Sequence, residues 1–159
     1  MRIHFISLFP SEMASFLNKG ILGKASNKGV FETNFIQLRD FAPPPHFKVD
    51  DYPYGHRKGM LLKVDVLSKA IESIQGYSNA SIIFPCPKGV TFNQTHANAL
   101  SKQSNDIIFI CGYYEGVDDR LFDRFDIERY SIGDVVLSSG ELPALIMSEA
   151  LLRCLPGVL

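Results

Sequence analysis

The sequence predicts an α/β fold: a parallel sheet flanked by helices. Three observations carry this. Apolar runs alternate with helix-like segments three times in succession after residue 80, and strands that alternate with helices pair in parallel under helices on both faces. Each strand-like run is followed by a turn of glycine, proline or small residues before the helix begins. The chain has 159 residues, one domain's worth, enough to bury about two-thirds of the surface its unfolded form exposes.

The elements follow in order. RIHFISLF reads as a buried strand, with Pro10 after it as a turn residue or the first residue of a helix. SEMASFLNKGILGKASNKG carries apolar residues at helical spacing, broken by Gly20, Gly23 and Gly29, and so predicts two short helices. VFETNFIQL alternates like a strand. RDFAPPPHFKVDDYPYGHRKGM, rich in proline and glycine, is a long loop of the kind that in a compact domain is usually functional or disordered. KVDVLSKAIESI is an amphipathic helix. ASIIFP, CPKG and NQTHANALSK then read as strand, turn and helix; DIIFI, CGYYEG and VDDRLFDRF do the same. IERYSI and DVVL are strand-like, SSGEL is a turn, and PALIMSEALLRCL is a helix. No second domain, repeat or low-complexity segment is expected.

Composition narrows the function classes. Hydrophobic content is 46 % and charged content 21 %, as in ordinary globular domains. No apolar run approaches the ~20 residues that span a bilayer, and MRIHFISLFP is too short and too strand-like for a signal peptide. No membrane partner is therefore expected. The three cysteines, Cys86, Cys111 and Cys154, are widely spaced and lack a C-x-x-C pair, which argues against zinc and for a reducing, cytoplasmic setting. Net charge is −1, but residues 1–63 hold nine Lys/Arg against five Asp/Glu and the remainder seven against twelve. The basic front half is either a phosphate-binding face or unevenly charged solvated surface. His4, His46, His56 and His96 are scattered, with no acid or cysteine at a telling spacing. No metal site is expected, and Asp118 and Asp119 read as the first turn of a helix.

In parallel sheets, ligands bind beyond the carboxyl ends of the strands. PCPKG, CGYYEG and LSSGELP all fall at such ends and converge on one site. They carry no P-loop or dinucleotide signature. The residues gathered are Pro85, Cys86, Pro87, Gly112, Tyr114, Glu115, Gly116, Ile132, Gly133, Val135, Leu137, Ser139, Gly140 and Pro143. Backbone groups at the glycine turns can read the edge of an adenine, Ile132, Leu137 and Pro143 can cover its faces, and Glu115 can pair with a cation. S-adenosylmethionine has a flat base and a positive end and fits this set; another nucleotide-like ligand is the alternative. Each residue also has a plain structural reading: the glycines satisfy positive φ, Glu115 complements a helix N-terminus, and Arg153 complements a helix C-terminus.

The segments ISLFP, RDF, VDDYPYG, GM, CGYYEGVDDR, SIGDVVLSSGELPA and PGVL, in this order and spacing, resemble the bacterial tRNA (guanine-N1)-methyltransferases, the TrmD family of the SPOUT superfamily. The resemblance covers essentially the whole chain. It implies a domain over residues 1–159 that binds cofactor and dimerises, with its C-terminal part threaded into a deep trefoil knot, an exception to the unknotted rule. It implies homodimers that move a methyl group from S-adenosylmethionine to N1 of the guanosine just 3′ of the anticodon in tRNA. The knot loops map to residues 85–89, 112–116 and 132–143. Glu115 matches a glutamate near the methionine end of the cofactor, and Arg153 an arginine assigned to catalysis. Arg57 and Lys58 are candidate substrate-binding cations. The family's general-base aspartate and tRNA-gripping helical domain would follow Leu159, so residues 1–159 by themselves are expected to be nearly inactive. A shortened homologue that binds cofactor and RNA or a partner, with little turnover, is the alternative reading. The family's reaction is described as magnesium-dependent. Three departures stand out: His56 and Arg57 replace glycines of YGGG-x-GM, Tyr113 replaces the arginine of GRYEG, and Ser139 replaces a glycine of LSGGE.

Overall fold

A computed structural model describes residues 1–53, 55 and 58–159. The chain opens with β1 (Arg2–Ser7), α1 (Pro10–Leu17), α2 (Gly20–Asn27) and β2 (Glu32–Gln37). A 3-10 turn at Leu38–Phe41 leads to the short strands β3 (Asp50–Asp51) and β4 (Leu61–Leu62) and then α3 (Val64–Glu72). The second half runs β5 (Ser81–Thr91), α4 (Gln94–Ser101), β6 (Ile107–Ile110), α5 (Arg120–Arg124), β7 (Ile127–Ser131) and α6 (Glu141–Leu152).

The main sheet has strand order β2-β1-β6-β5-β7, and each of its four pairings is parallel. This is the α/β architecture expected from the alternation of strands and helices. The side-chain period of two sorts each strand between two cores. On one face Phe35, Phe5 and Phe109 lie in register on β2, β1 and β6, with ring centroids 5.4 Å apart in each step. Met13, Leu17, Leu151 and Leu152 from α1 and α6 close over them. On the other face Ile6, Ile108 and Ile110 meet Val66, Leu67 and Ile71 of α3 and Leu121 of α5. Each such side chain, fully buried, contributes about 1.5–3 kcal/mol.

Local signals set the helix starts. Pro10 occupies the first turn of α1, where no N–H is needed. At α4, Asn93 Oδ1 accepts from the His96 N–H at 3.2 Å and His96 Nδ1 accepts from the Asn93 N–H at 3.2 Å, a reciprocal capping box with histidine in the usual glutamate position. Among the described residues no helix is long and apolar enough to cross a membrane.

Four local expectations are corrected. CPKG is a bulge inside β5 rather than a turn: Tyr130 of β7 is the register partner of both Pro85 and Val90, so residues 86–89 loop out of the ladder. DVVL is not a strand, because β7 is the sheet edge and ends at Ser131, and the run beyond it leaves the sheet with Val136 83 % exposed. Helix α6 begins at Glu141 rather than Pro143, since proline is tolerated in a first turn. The long proline-rich segment contains β3, which pairs antiparallel with β4 immediately after it, Asp50 opposite Leu62 and Asp51 opposite Leu61. Its end is stitched to the turn after β6: Leu62 N–H donates to Gly116 O at 3.0 Å, Asp118 N–H to Leu62 O at 3.1 Å and Glu115 N–H to Met60 O at 3.0 Å.

Candidate functional site

Beyond the carboxyl ends of β6 and β7, beside the bulge inside β5, lies a cavity of about 480 Å³. It exists because the segment after β7 turns back across the sheet. Gly133, at φ 137°, makes the first turn, where the Ser131 hydroxyl donates to Gly133 O at 2.8 Å and accepts from Gly133 N–H at 3.1 Å. The segment ends against the turn after β6, where Gly140 N–H donates to Gly112 O at 2.8 Å. A Cβ on Gly140 would stand 2.6 Å from Gly112 N and 3.0 Å from Cys111 Cα, so the two backbones meet only because residue 140 has no side chain. A Cβ on Gly112 would stand 2.9 Å from Phe84 Cε2.

The three expected segments do converge here. The β5 bulge supplies Pro85, Cys86 and Pro87 to the wall; the turn after β6 supplies Gly112, Tyr114, Glu115 and Gly116. The crossing segment and the start of α6 supply Ile132, Val135, Leu137, Ser139, Gly140 and Pro143. Gly133 shapes the crossing segment from outside the wall. Tyr113, at the departure from GRYEG, also lines the cavity and is held edge-on between Phe9, at 5.4 Å, and Tyr114, at 4.8 Å between ring centroids. Tyr114 takes a left-handed backbone conformation at φ 57°.

Two of the expected substrate-side residues lie elsewhere. Arg153 is exposed at the C-terminal cap of α6, in a separate hollow of about 660 Å³ with Gln94, Ile146, Glu149, Ala150, Cys154 and Leu159. Lys58 is exposed next to Gly59, which packs against the Glu115 side chain. Arg57, and with it His56, falls outside the described residues.

The cavity also recruits residues that the turns do not contain: Phe84, Asp119, Phe122, Arg129 and Tyr130. The guanidinium of Arg129 lies over the Phe122 ring, 3.6 Å from its centroid, and Phe122 in turn packs on Phe84 with 5.6 Å between centroids. Arg129 and Phe84 are cross-strand partners on β7 and β5. No local pattern announces that pairing.

Burial, assisted by a 2.7 Å hydrogen bond to Glu128, pushes the Tyr130 phenol up to about 12, so it stays protonated. Burial, with the charge of Glu141 in second place, pushes the Cys111 thiol well up and makes it inert. Hydrogen bonds from Arg120 hold the Asp118 carboxylate below its usual range, and its Oδ1 also accepts from the Arg120 N–H at 3.0 Å at the start of α5. Among the described residues no group of three or more His, Cys, Asp or Glu side chains is arranged for a metal ion. What remains is a cleft lined by apolar Ile132, Leu137 and Pro143 and by both signs of charge, Lys88 and Arg129 with Glu115 and Asp119.

The chain matches a family model described as tRNA (Guanine-1)-methyltransferase TrmD over residues 1–159. A tRNA (guanine-N(1)-)-methyltransferase of Staphylococcus epidermidis is 42 % identical over 159 residues, covering 100 % of this chain and 64 % of that protein. Its counterparts in Clostridioides difficile and Campylobacter jejuni are 41 % and 44 % identical, and the chain covers 70 % and 68 % of them. The chain thus spans a little under two-thirds of the length of the Staphylococcus relative.

Proposed function

Because the chain belongs to the tRNA (guanine-1)-methyltransferase TrmD family, we propose that it takes part in methylating N1 of the guanosine just 3′ of the tRNA anticodon, with S-adenosylmethionine bound in the cavity beyond β6 and β7. The observation that carries the cofactor assignment is the cradle itself. Its volume of about 480 Å³ suits a nucleoside-sized ligand, and Gly112 and Gly140 leave no room for a side chain where the backbone lines it. Ile132, Leu137 and Pro143 offer apolar cover for an adenine, and the main-chain groups of residues 132–140 its hydrogen bonds. The cofactor supplies an activated methyl group whose transfer to a guanine nitrogen leaves S-adenosylhomocysteine. The protein's part is to orient that group, shield it from water and let the guanine approach. The segment that crosses from β7 to Gly112 supports a threaded, knotted topology for this region.

The position of Arg153 supports a homodimer. It lies outside the cavity of its own chain, at the end of an α6 face whose Leu142 is 60 % and Ile146 51 % exposed. Packing this face on a second copy buries the apolar stripe and carries Arg153 toward the partner's guanine site. Arginine stays cationic and cannot take the N1 proton. The reading places the protein in the cytoplasm, where its tRNA substrate resides.

Calorimetric titration of the chain with S-adenosylhomocysteine tests the cofactor assignment. Saturable heat and a matching rise in Tm are expected; the absence of both at millimolar ligand overturns it.

A further inference from the structure

We propose that Arg129, stacked on Phe122, together with Lys88 forms the carboxylate-binding end of the cavity and grips the amino-acid tail of the bound cofactor. The inference rests on the cofactor reading above and adds residues to it. Three features support it. First, the guanidinium is mounted: Gly112 packs on Phe84, Phe84 on Phe122, and Arg129 lies 3.6 Å above the Phe122 centroid. A guanidinium stacked by its face keeps its N–H edge free for a planar oxyanion. Second, neither Arg129 nor Lys88 has an ion-pair partner among the described residues, whereas the neighbouring arginines Arg120 and Arg124 are committed to Asp118 and Glu72. Third, the same cavity carries Glu115 and Asp119. A lining with two cations and two carboxylates suits a zwitterion, whose carboxylate meets Arg129 and Lys88 while its ammonium meets the acids. A phosphate of the RNA would meet the same two carboxylates and be repelled.

The experiment compares two probes on the unaltered chain, Arg129→Met, Arg129→Lys and Lys88→Met. S-adenosylhomocysteine carries the amino-acid tail; 5′-methylthioadenosine has the adenosine and the sulfur without it. Arg129 and Lys88 are exposed, so these variants keep the fold. Loss of a charge-assisted contact predicts that Arg129→Met binds S-adenosylhomocysteine about tenfold or more weakly, with 5′-methylthioadenosine unchanged. Arg129→Lys is expected to recover part of the loss and Lys88→Met to show a smaller one of the same selectivity. A parallel loss for both probes, no loss for either, or a loss confined to tRNA affinity overturns the proposal. If the unaltered chain binds 5′-methylthioadenosine but Arg129→Met leaves S-adenosylhomocysteine untouched, the cofactor reading survives and this proposal fails. If the unaltered chain binds neither probe, both fail.

Discussion

The N–H of Gly140 donates to the carbonyl oxygen of Gly112 at 2.8 Å, tying the end of the crossing segment to the turn after β6. Both walls of the cavity depend on this one contact. Gly140→Ala forces a Cβ to 2.6 Å from Gly112 N, against backbone that cannot swing aside. The segment must lift, at a cost of about 1–3 kcal/mol typical of overpacking. Titration with S-adenosylhomocysteine is expected to show at least a tenfold loss of affinity, with the far-ultraviolet dichroism of the sheet retained. Native affinity in this variant would mean that the cavity does not use the contact.

Gly59 governs the opposite rim. It sits at φ +109°, and a Cβ there would run into the Glu115 side chain, with Cδ 3.1 Å away. Gly59→Ala is expected to push Glu115 out of place and to weaken S-adenosylhomocysteine more than 5′-methylthioadenosine. An equal effect on the two ligands would separate Glu115 from the ammonium it is assigned.

Ser7 and Glu141 hold the α6 entry to the sheet. The Ser7 hydroxyl donates to Glu141 Oε1 at 2.6 Å, both residues buried, and accepts from the Phe9 N–H at 2.8 Å. Ser7→Ala leaves a carboxylate oxygen and an amide without partners and is expected to cost about 1–3 kcal/mol. A fall in the urea midpoint with unchanged m-value is the readout; an unchanged midpoint would mean that the Ser7–Glu141 contact adds no stability.

His4 is only 4 % exposed, accepts at Nδ1 from the Asn34 Nδ2–H across 3.2 Å, and places Nε2 3.6 Å from Asp106. Burial holds its pKa below the ordinary 6.5, against the opposing pull of Asp106. The unfolded chain therefore takes up the proton first as pH falls, so the stability that neutral His4 contributes is present above about pH 6.5 and is lost as pH falls through the folded pKa. For Asp106 burial pushes the pKa up, but the hydrogen bonds and charge of Arg2, with His4, outweigh it and hold the pKa low, so its contribution is lost at still lower pH. Thermal melts from about pH 7 to about pH 5 should show a falling Tm that His4→Gln flattens. An unaltered slope in the variant would remove His4 as the cause.

Ile146 lies at the middle of the exposed α6 stripe. A charge there cannot be buried without a partner, so Ile146→Glu is expected to convert a dimer into a species near the 17.8 kDa monomer mass by light scattering. A monomer already in the unaltered chain overturns the shared-site reading of Arg153.

The sequence by itself determined the fold class, because strand and helix periods are local and their alternation leaves a parallel sheet as the consistent arrangement. It also pointed to two walls of the cavity: parallel strands gather their following turns on one edge, so CGYYEG and LSSGELP are expected as neighbours there, whereas PCPKG joins them as a bulge inside β5. Tertiary structure alone decided that β6 inserts between β1 and β5, since strand order is a choice among long-range pairings. The same choice leaves β7 at the edge, which releases Val135 and Val136 from the sheet despite their strand-like character, and sets Arg129 beside Phe84. It brought His4 to Asp106 across two strands, a contact that no spacing in the chain records. Arg153 was turned away from the cavity for a comparable reason: α6 presents that face outward, and the direction in which a helix points its exposed side is settled by what packs beneath it.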